Sequence, residues 1–147
     1  MALSALARLL GASPPTVAPG IYEAEEGVLH HLGLEASHPG FAGWGYVAGW
    51  NQDGQWLDFP VAVPAAGDYK LVLRYVAGAG NASRYLFVNG KGVVSNLSFP
   101  ATANWDHWAE NATNAKLSAG SNTISVIFSS KMASKSYLNL DQLIVTP

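Results

Sequence analysis

The sequence predicts an all-β fold: an antiparallel β-sandwich of the jelly-roll kind, with about eight or nine short strands. Three observations carry this reading. Apolar and polar residues alternate with period two along several stretches, turn residues separate those stretches, and no convincing helical pattern follows residue 20.

The elements follow in chain order. Residues 1–20 read as a linker or an expression-derived segment, and residues 21–147 as the β-sandwich module. Leu3, Leu6, Leu9 and Leu10 suit one side of a short helix, which Ser13-Pro14-Pro15 would stop. The segment is a poor signal peptide, because it lacks a basic start and Arg8 interrupts its apolar part. Gln55 to Val63 is a candidate strand ended by Pro64. Tyr69, Leu71, Leu73 and Tyr75 then alternate with Lys70, Val72, Arg74 and Val76. Asn89-Gly90-Lys91-Gly92 reads as a hairpin turn between Tyr85–Val88 and Val93–Phe99. Ala109 to Lys116 is alanine-rich enough to suggest a helix, but Asn111, Thr113 and Asn114 argue against one. Ile124, Val126 and Phe128 alternate with Ser125, Ile127 and Ser129. Leu138 and Leu140, then Leu143 and Val145, form the last strand, with a slip of phase near Gln142.

Composition narrows the function classes. The 147 residues suit a single domain. Charged residues are 12%, against about 25% in ordinary soluble proteins. The net charge of −2 gives no basic excess for nucleic acid or an acidic membrane, so neither is an expected partner. No apolar run is long enough to span a bilayer as a helix. The absence of cysteine excludes disulfides, thiolate metal sites and cysteine nucleophiles.

Three sets of residues are candidates for chemistry. Glu23 and Glu25, on a strand, would point to one side about 7 Å apart. Two neighbouring carboxylates repel unless a cation lies between them, and calcium suits oxygen donors; a solvated acidic edge is the plainer alternative. Asp141, in an otherwise apolar last strand, could complete such a site if the first and last strands are neighbours. Trp44, Tyr46 and Trp105 sit in loop-like contexts, where a ring can pack on the flat face of a sugar. Trp56 and Trp108 lie in alternating runs and read as structural. Catalytic signals are weak: no G-x-S-x-G elbow, no phosphate loop and no metal-ligand spacing among the four histidines. Gly78-Ala79-Gly80 reads as a turn.

From about Ile21 to Pro147 the order and spacing of several pieces resemble family 35 of the carbohydrate-binding modules, in the group that also holds family 6. The pieces are Tyr22-Glu23-Ala24-Glu25, Gly40–Val47, Val63–Tyr69, Arg74-Tyr75, Val88-Asn89-Gly90, Phe99–Thr102, Trp105–Trp108, Ala119–Ile124 and Asn139-Leu140-Asp141. The resemblance implies a jelly-roll module without catalytic activity, appended to a secreted enzyme that degrades plant cell walls. Its partners would be a polysaccharide or oligosaccharide ligand and a covalently attached catalytic domain. It also implies a structural calcium on Glu23, Glu25 and Asp141. Tyr46 and Trp105 would grip the sugar ring, Asn139 would bond its hydroxyls, and Arg84 falls where many members carry a ligand-contacting arginine. Members that bind uronic acids hold a second calcium in the loop site, and the corresponding loops here show no acidic cluster. The expected ligand is therefore a neutral β-linked hemicellulose, with mannan first. The alternatives are a calcium-dependent module for uronic acid, galactan or xylan, and a protein-interaction sandwich that has lost its sugar site.

Overall fold

Period-two alternation folds the chain into two antiparallel sheets packed face to face, as the sequence predicts. The structure is a computed structural model and describes residues 20–147. The expectation for residues 1–20 lies, Gly20 apart, outside the described residues. The strands are β1 (Gly20–Glu23), β2 (Val28–His30), β3 (Gly33–Glu35), β4 (Tyr46–Ala48), β5 (Trp56–Val63), β6 (Gly67–Val76), β7 (Ala82–Val88), β8 (Lys91–Phe99), β9 (Ala109–Leu117), β10 (Gly120–Ile127) and β11 (Asn139–Thr146). One sheet has the order β3-β4-β11-β6-β9, with β1 also paired to β11; the other runs β2-β5-β10-β7-β8.

The strands outnumber the sequence estimate because β2, β3 and β4 have three residues each. Runs that short contain barely one cycle of alternation and give no periodic signal. The alanine-rich stretch forms β9, where pairing with the whole length of β6 overrides local propensity. Two single 3-10 turns, Ala24–Glu26 and Ser130–Met132, are the helical elements among the described residues. The slip near Gln142 is a bulge: the register of β11 against β6 shifts between Leu140 and Gln142. A bulge adds a residue without a partner and re-aims its side chain, and that residue is Asp141.

The core lies between the sheets and is lined by Leu57, Phe59, Leu71, Leu73, Leu86, Ile124, Leu138 and Leu143, among others. Its indole is Trp50, which is fully buried and donates its ring N–H to the carbonyl of Gln55 at 3.2 Å. Trp56 and Trp108, the expected structural tryptophans, are only half-buried. Trp56 stacks on His30 at 4.0 Å, on the face of its sheet turned from the core.

Arg84 contradicts the expectation that it contacts a ligand. It is 0% exposed, and its guanidinium lies between the rings of Trp50 and Phe128, each at 4.9 Å. Its amino groups donate to the carbonyls of Ser83, Lys135, Trp50 and Ser136 at 2.7–2.9 Å. Burial pushes its pKa down to about 9, still well above neutrality, so it remains a cation paired with carbonyl dipoles. A ligand cannot reach it; its work is to clamp the chain just before Tyr137. Arg84→Met strips donors from four carbonyls at once and is expected to cost about 3 kcal/mol or more. A thermal melt should show a midpoint lower by about 10 °C.

Candidate functional site

Two features stand close together on the sheet that contains β11. The first is an acidic cluster. Antiparallel pairing sets Glu23 of β1 opposite Gln142 of β11, so carboxylates from the two ends of the described chain converge. The sequence reading placed Glu23 and Glu25 on one strand, pointing the same way. Instead β1 ends at Glu23, and the 3-10 turn at Ala24–Glu26 swings Glu25 inward. Glu23, Glu25 and Asp141 each present an oxygen, and these oxygens lie within 4.8 Å of one another.

The bonds around the cluster do not neutralise it. Arg74 Nη1 donates to Asp141 Oδ2 at 2.5 Å, and the backbone N–H of Ala42 donates to both Asp141 oxygens at 2.9 and 3.1 Å. Gln142 Nε2 donates to Glu23 Oε2, and the N–H of Trp44 to Glu25 Oε2. Glu23 Oε1 and Glu25 Oε1 are buried with no hydrogen-bond partner among the described residues. Buried carboxylate oxygens without donors carry a desolvation cost, and a cation is the partner that removes it. Gly43 roofs the cluster at φ +68°, where an added Cβ would collide with Glu25 Oε2. The hard oxygen donors and the glycine-made space fit a divalent ion of the calcium type.

The second feature is a pocket of about 200 Å³ lined by Glu35, His38, Ala48, Gly49, Trp105, Tyr137 and Asn139. Trp105 is half-buried on the loop after β8. Thr102 pins that loop: its N–H donates to the carbonyl of Ala77, and its hydroxyl bonds the Asn104 carbonyl and the Ala77 N–H. The indole lies against Gly78, where a Cβ would come within 2.7 Å of Trp105 Cγ and Cδ2. The glycine turn seen in the sequence is thus the floor on which the tryptophan rests. Asn139, buried at the start of β11, lines the same pocket.

Tyr46 does not line it. The ring is 0% exposed and cannot grip a sugar; it packs edge-on against Phe41 and Trp108. Val47 of β4 enters the core, so Tyr46 turns to the other face of the sheet, where the loop before it and Trp108 cover the ring. The second ring of the pocket is Tyr137, 48% exposed, which the sequence reading did not single out. It sits in an irregular stretch after Ser136 at φ +67°, with no alternation to mark its side. Glu35 is the acidic residue of the pocket, and no lysine or arginine lines it among the described residues. A separate hollow of about 280 Å³ beside Ile21, Tyr22 and Pro60 has two rings in its lining: Phe59, which is buried in the core, and Tyr22, whose hydroxyl is already bonded to the main chain of Ala62. The Trp105 pocket suits a flat ligand better.

The profile of the carbohydrate binding module (family 35) matches residues 20–147. The chain belongs to that family. A native structure of a family 35 module from Clostridium thermocellum superposes with a TM-score of 0.81 at 32% identity, over 88% of this chain and 98% of that one. A Listeria monocytogenes protein crystallised with glucose, magnesium and calcium gives a TM-score of 0.81 at 32% identity, over 90% of this chain and 12% of that one. This family 35 module is 40% identical over 107 residues to an isomaltosyltransferase from Sporosarcina globispora, covering 73% of the chain and 10% of that enzyme. It is 31% identical over 121 residues to a mannan endo-1,4-beta-mannosidase from Thermothelomyces thermophilus, covering 82% of the chain and 24% of that enzyme.

The acidic cluster of the module carries its own pH signature. Burial is the main cause that pushes the Glu23 and Glu25 carboxyls above their ordinary range. With divalent cations removed, the folded state therefore holds these protons more tightly than the unfolded chain does. That stabilisation is complete below the unfolded carboxyl pKa of about 4.3 and is lost as pH rises through the raised folded values. Melts in chelator should show the midpoint falling as pH rises from the carboxylate range toward neutrality, and Glu25→Gln should flatten that fall.

Proposed function

We propose that the chain is a non-catalytic module that binds a neutral pyranose chain. The observation that carries this is Trp105 facing the same pocket as Tyr137 and the Asn139 amide, with no cationic side chain at hand. A pyranose presents a flat face of C–H groups and a rim of hydroxyls. The rings take the face by apolar burial, and Asn139, His38 and Glu35 take the hydroxyls. An isomaltosyl-type glucan is the first choice of ligand, supported by the 40% identity to the isomaltosyltransferase. Mannan, the expectation from the sequence, is the second, supported by the mannanase relative. A uronic acid fits poorly, because its carboxylate would meet Glu35 without a basic partner or a second acidic cluster to hold a bridging ion.

The same proposal gives Glu23, Glu25 and Asp141 a structural calcium, supported by the partnerless carboxylate oxygens and by the calcium in the Listeria structure. The module would serve an attached catalytic domain, as in its enzyme relatives, and would work outside the cell where polymers of this kind occur. Modest affinity suffices for that role, since tethering raises the effective concentration of enzyme at the polymer.

Calorimetry against isomaltose, mannose, xylose and uronic acid oligosaccharides tests the ligand. Trp105→Ala should weaken binding by tenfold or more while the melt stays within about 2 °C of wild type. Gly78→Val, which touches no ligand, should weaken binding nearly as much by displacing the indole. No binding to any of these sugars, with retention of a protein partner, would instead favour the interaction sandwich. Calcium should raise the melting midpoint by mass action, and an excess of chelator should lower it by several degrees.

A further inference from the structure

The loop of residues 36–45, between β3 and β4, touches both features. Its second half crosses the acidic cluster through the Ala42 and Trp44 amides, which donate to Asp141 and Glu25. Its first half frames the pocket through His38. Tyr46 closes the loop. Its buried phenol donates to Glu35 Oε1 at 3.3 Å and accepts from the His38 N–H at 3.2 Å and the Ser37 hydroxyl at 3.4 Å. Glu35 and His38 both line the pocket, so one hydroxyl ties two of its walls together.

The other side of Tyr46 leads back to the carboxylates. Its ring meets Trp108 edge-on at 5.2 Å. The Trp108 indole N–H donates to the Pro39 carbonyl of the same loop at 2.8 Å, and its face carries the Arg74 guanidinium at 5.3 Å. Arg74 is the cation bonded to Asp141. Contacts therefore run without a break from Asp141 through the half-buried Arg74 and Trp108 and the buried Tyr46 to Glu35 and His38. Three carboxylates with one arginine between them repel one another and pull on Arg74. A divalent ion among them would relieve that pull and set where the guanidinium, the indole and the loop rest.

We propose that Tyr46 is a positioning residue through which a cation on Glu23, Glu25 and Asp141 sets the shape of the sugar pocket. Ion and sugar then bind with positive coupling although they share no contact, and by linkage each raises the affinity of the other by the same factor. The proposal rests on the cation and pocket assignments above, and its test separates them.

The test follows amide and indole signals of the isotope-labelled module by NMR during calcium titration, at a temperature where circular dichroism shows both forms folded. The Ala42 and Trp44 amides report the ion; the His38 amide and the Trp105 indole N–H report the pocket. In the wild type all four should shift together, and calcium should tighten oligosaccharide binding about fivefold or more. In Tyr46→Phe, which keeps the buried ring, calcium should still shift Ala42 and Trp44 with an affinity within about threefold of wild type. The His38 and Trp105 signals should no longer follow, and the gain in sugar affinity should fall below twofold. Arg74→Lys, which keeps the charge beside Asp141 but loses the guanidinium that lies over Trp108, should uncouple the sites in the same way and serves if Tyr46→Phe does not fold. Wild-type Ala42 and Trp44 signals that move while His38 and Trp105 stay still would overturn the proposal, as would full coupling in a folded Tyr46→Phe. Silence of all four signals would overturn it together with the cation site. Coupled signals in a module that binds none of the sugars would uphold the coupling and remove only the ligand assignment.

Discussion

Antiparallel pairing of β1 with β11 is the constraint on which the rest depends. It closes the described chain on itself and forces three carboxylates into a space 4.8 Å across. A protein interior tolerates such a group of like charges only with compensation, and the lone arginine beside Asp141 is not enough. The bulge in β11, the 3-10 turn after β1 and the glycine at position 43 all serve this one requirement. Each brings an oxygen inward or clears the space that the oxygens surround.

The same strand links the acidic cluster to the pocket. Asn139 and Asp141 are two residues apart on β11, and a regular strand would send both side chains to one face. Both turn away from the core that Leu138, Leu140 and Leu143 enter; Asn139 lines the pocket and Asp141, at the bulge, faces the acidic cluster. One short strand thus supplies a polar group to each feature, and the long loop before β4 braces both from the other side.

The two misassigned residues share a cause. Tyr46 and Arg84 were given roles at the surface, and both proved to be fully buried scaffolding. Tyr46 spends its hydroxyl on Glu35, Ser37 and His38, and Arg84 spends its guanidinium on the carbonyls of Lys135 and Ser136. Each holds a segment that bears pocket residues: Tyr46 the loop of His38, Arg84 the approach to Tyr137. A large polar side chain at such a position is required by the ligand site without touching the ligand.

The sequence by itself determined the sheet-forming stretches, the hairpin at Asn89-Gly90 and the bulge near Gln142, and it singled out Glu23, Glu25 and Asp141, which converge, and Trp105 and Asn139, which line one pocket. Those readings rest on local signals: alternation, turn chemistry, and charged or aromatic residues out of place in their surroundings. What tertiary structure alone decided is which way side chains point in short or irregular stretches. Tyr46 lies in a three-residue strand whose inner and outer faces exist only because β3 and β11 flank it. Tyr137 lies in a segment without any period, and its exposure follows from the clamp that Arg84 places on the residues before it. Burial is a property of neighbours far away in sequence, so no local pattern could have told the ring that lines the pocket from the hidden one.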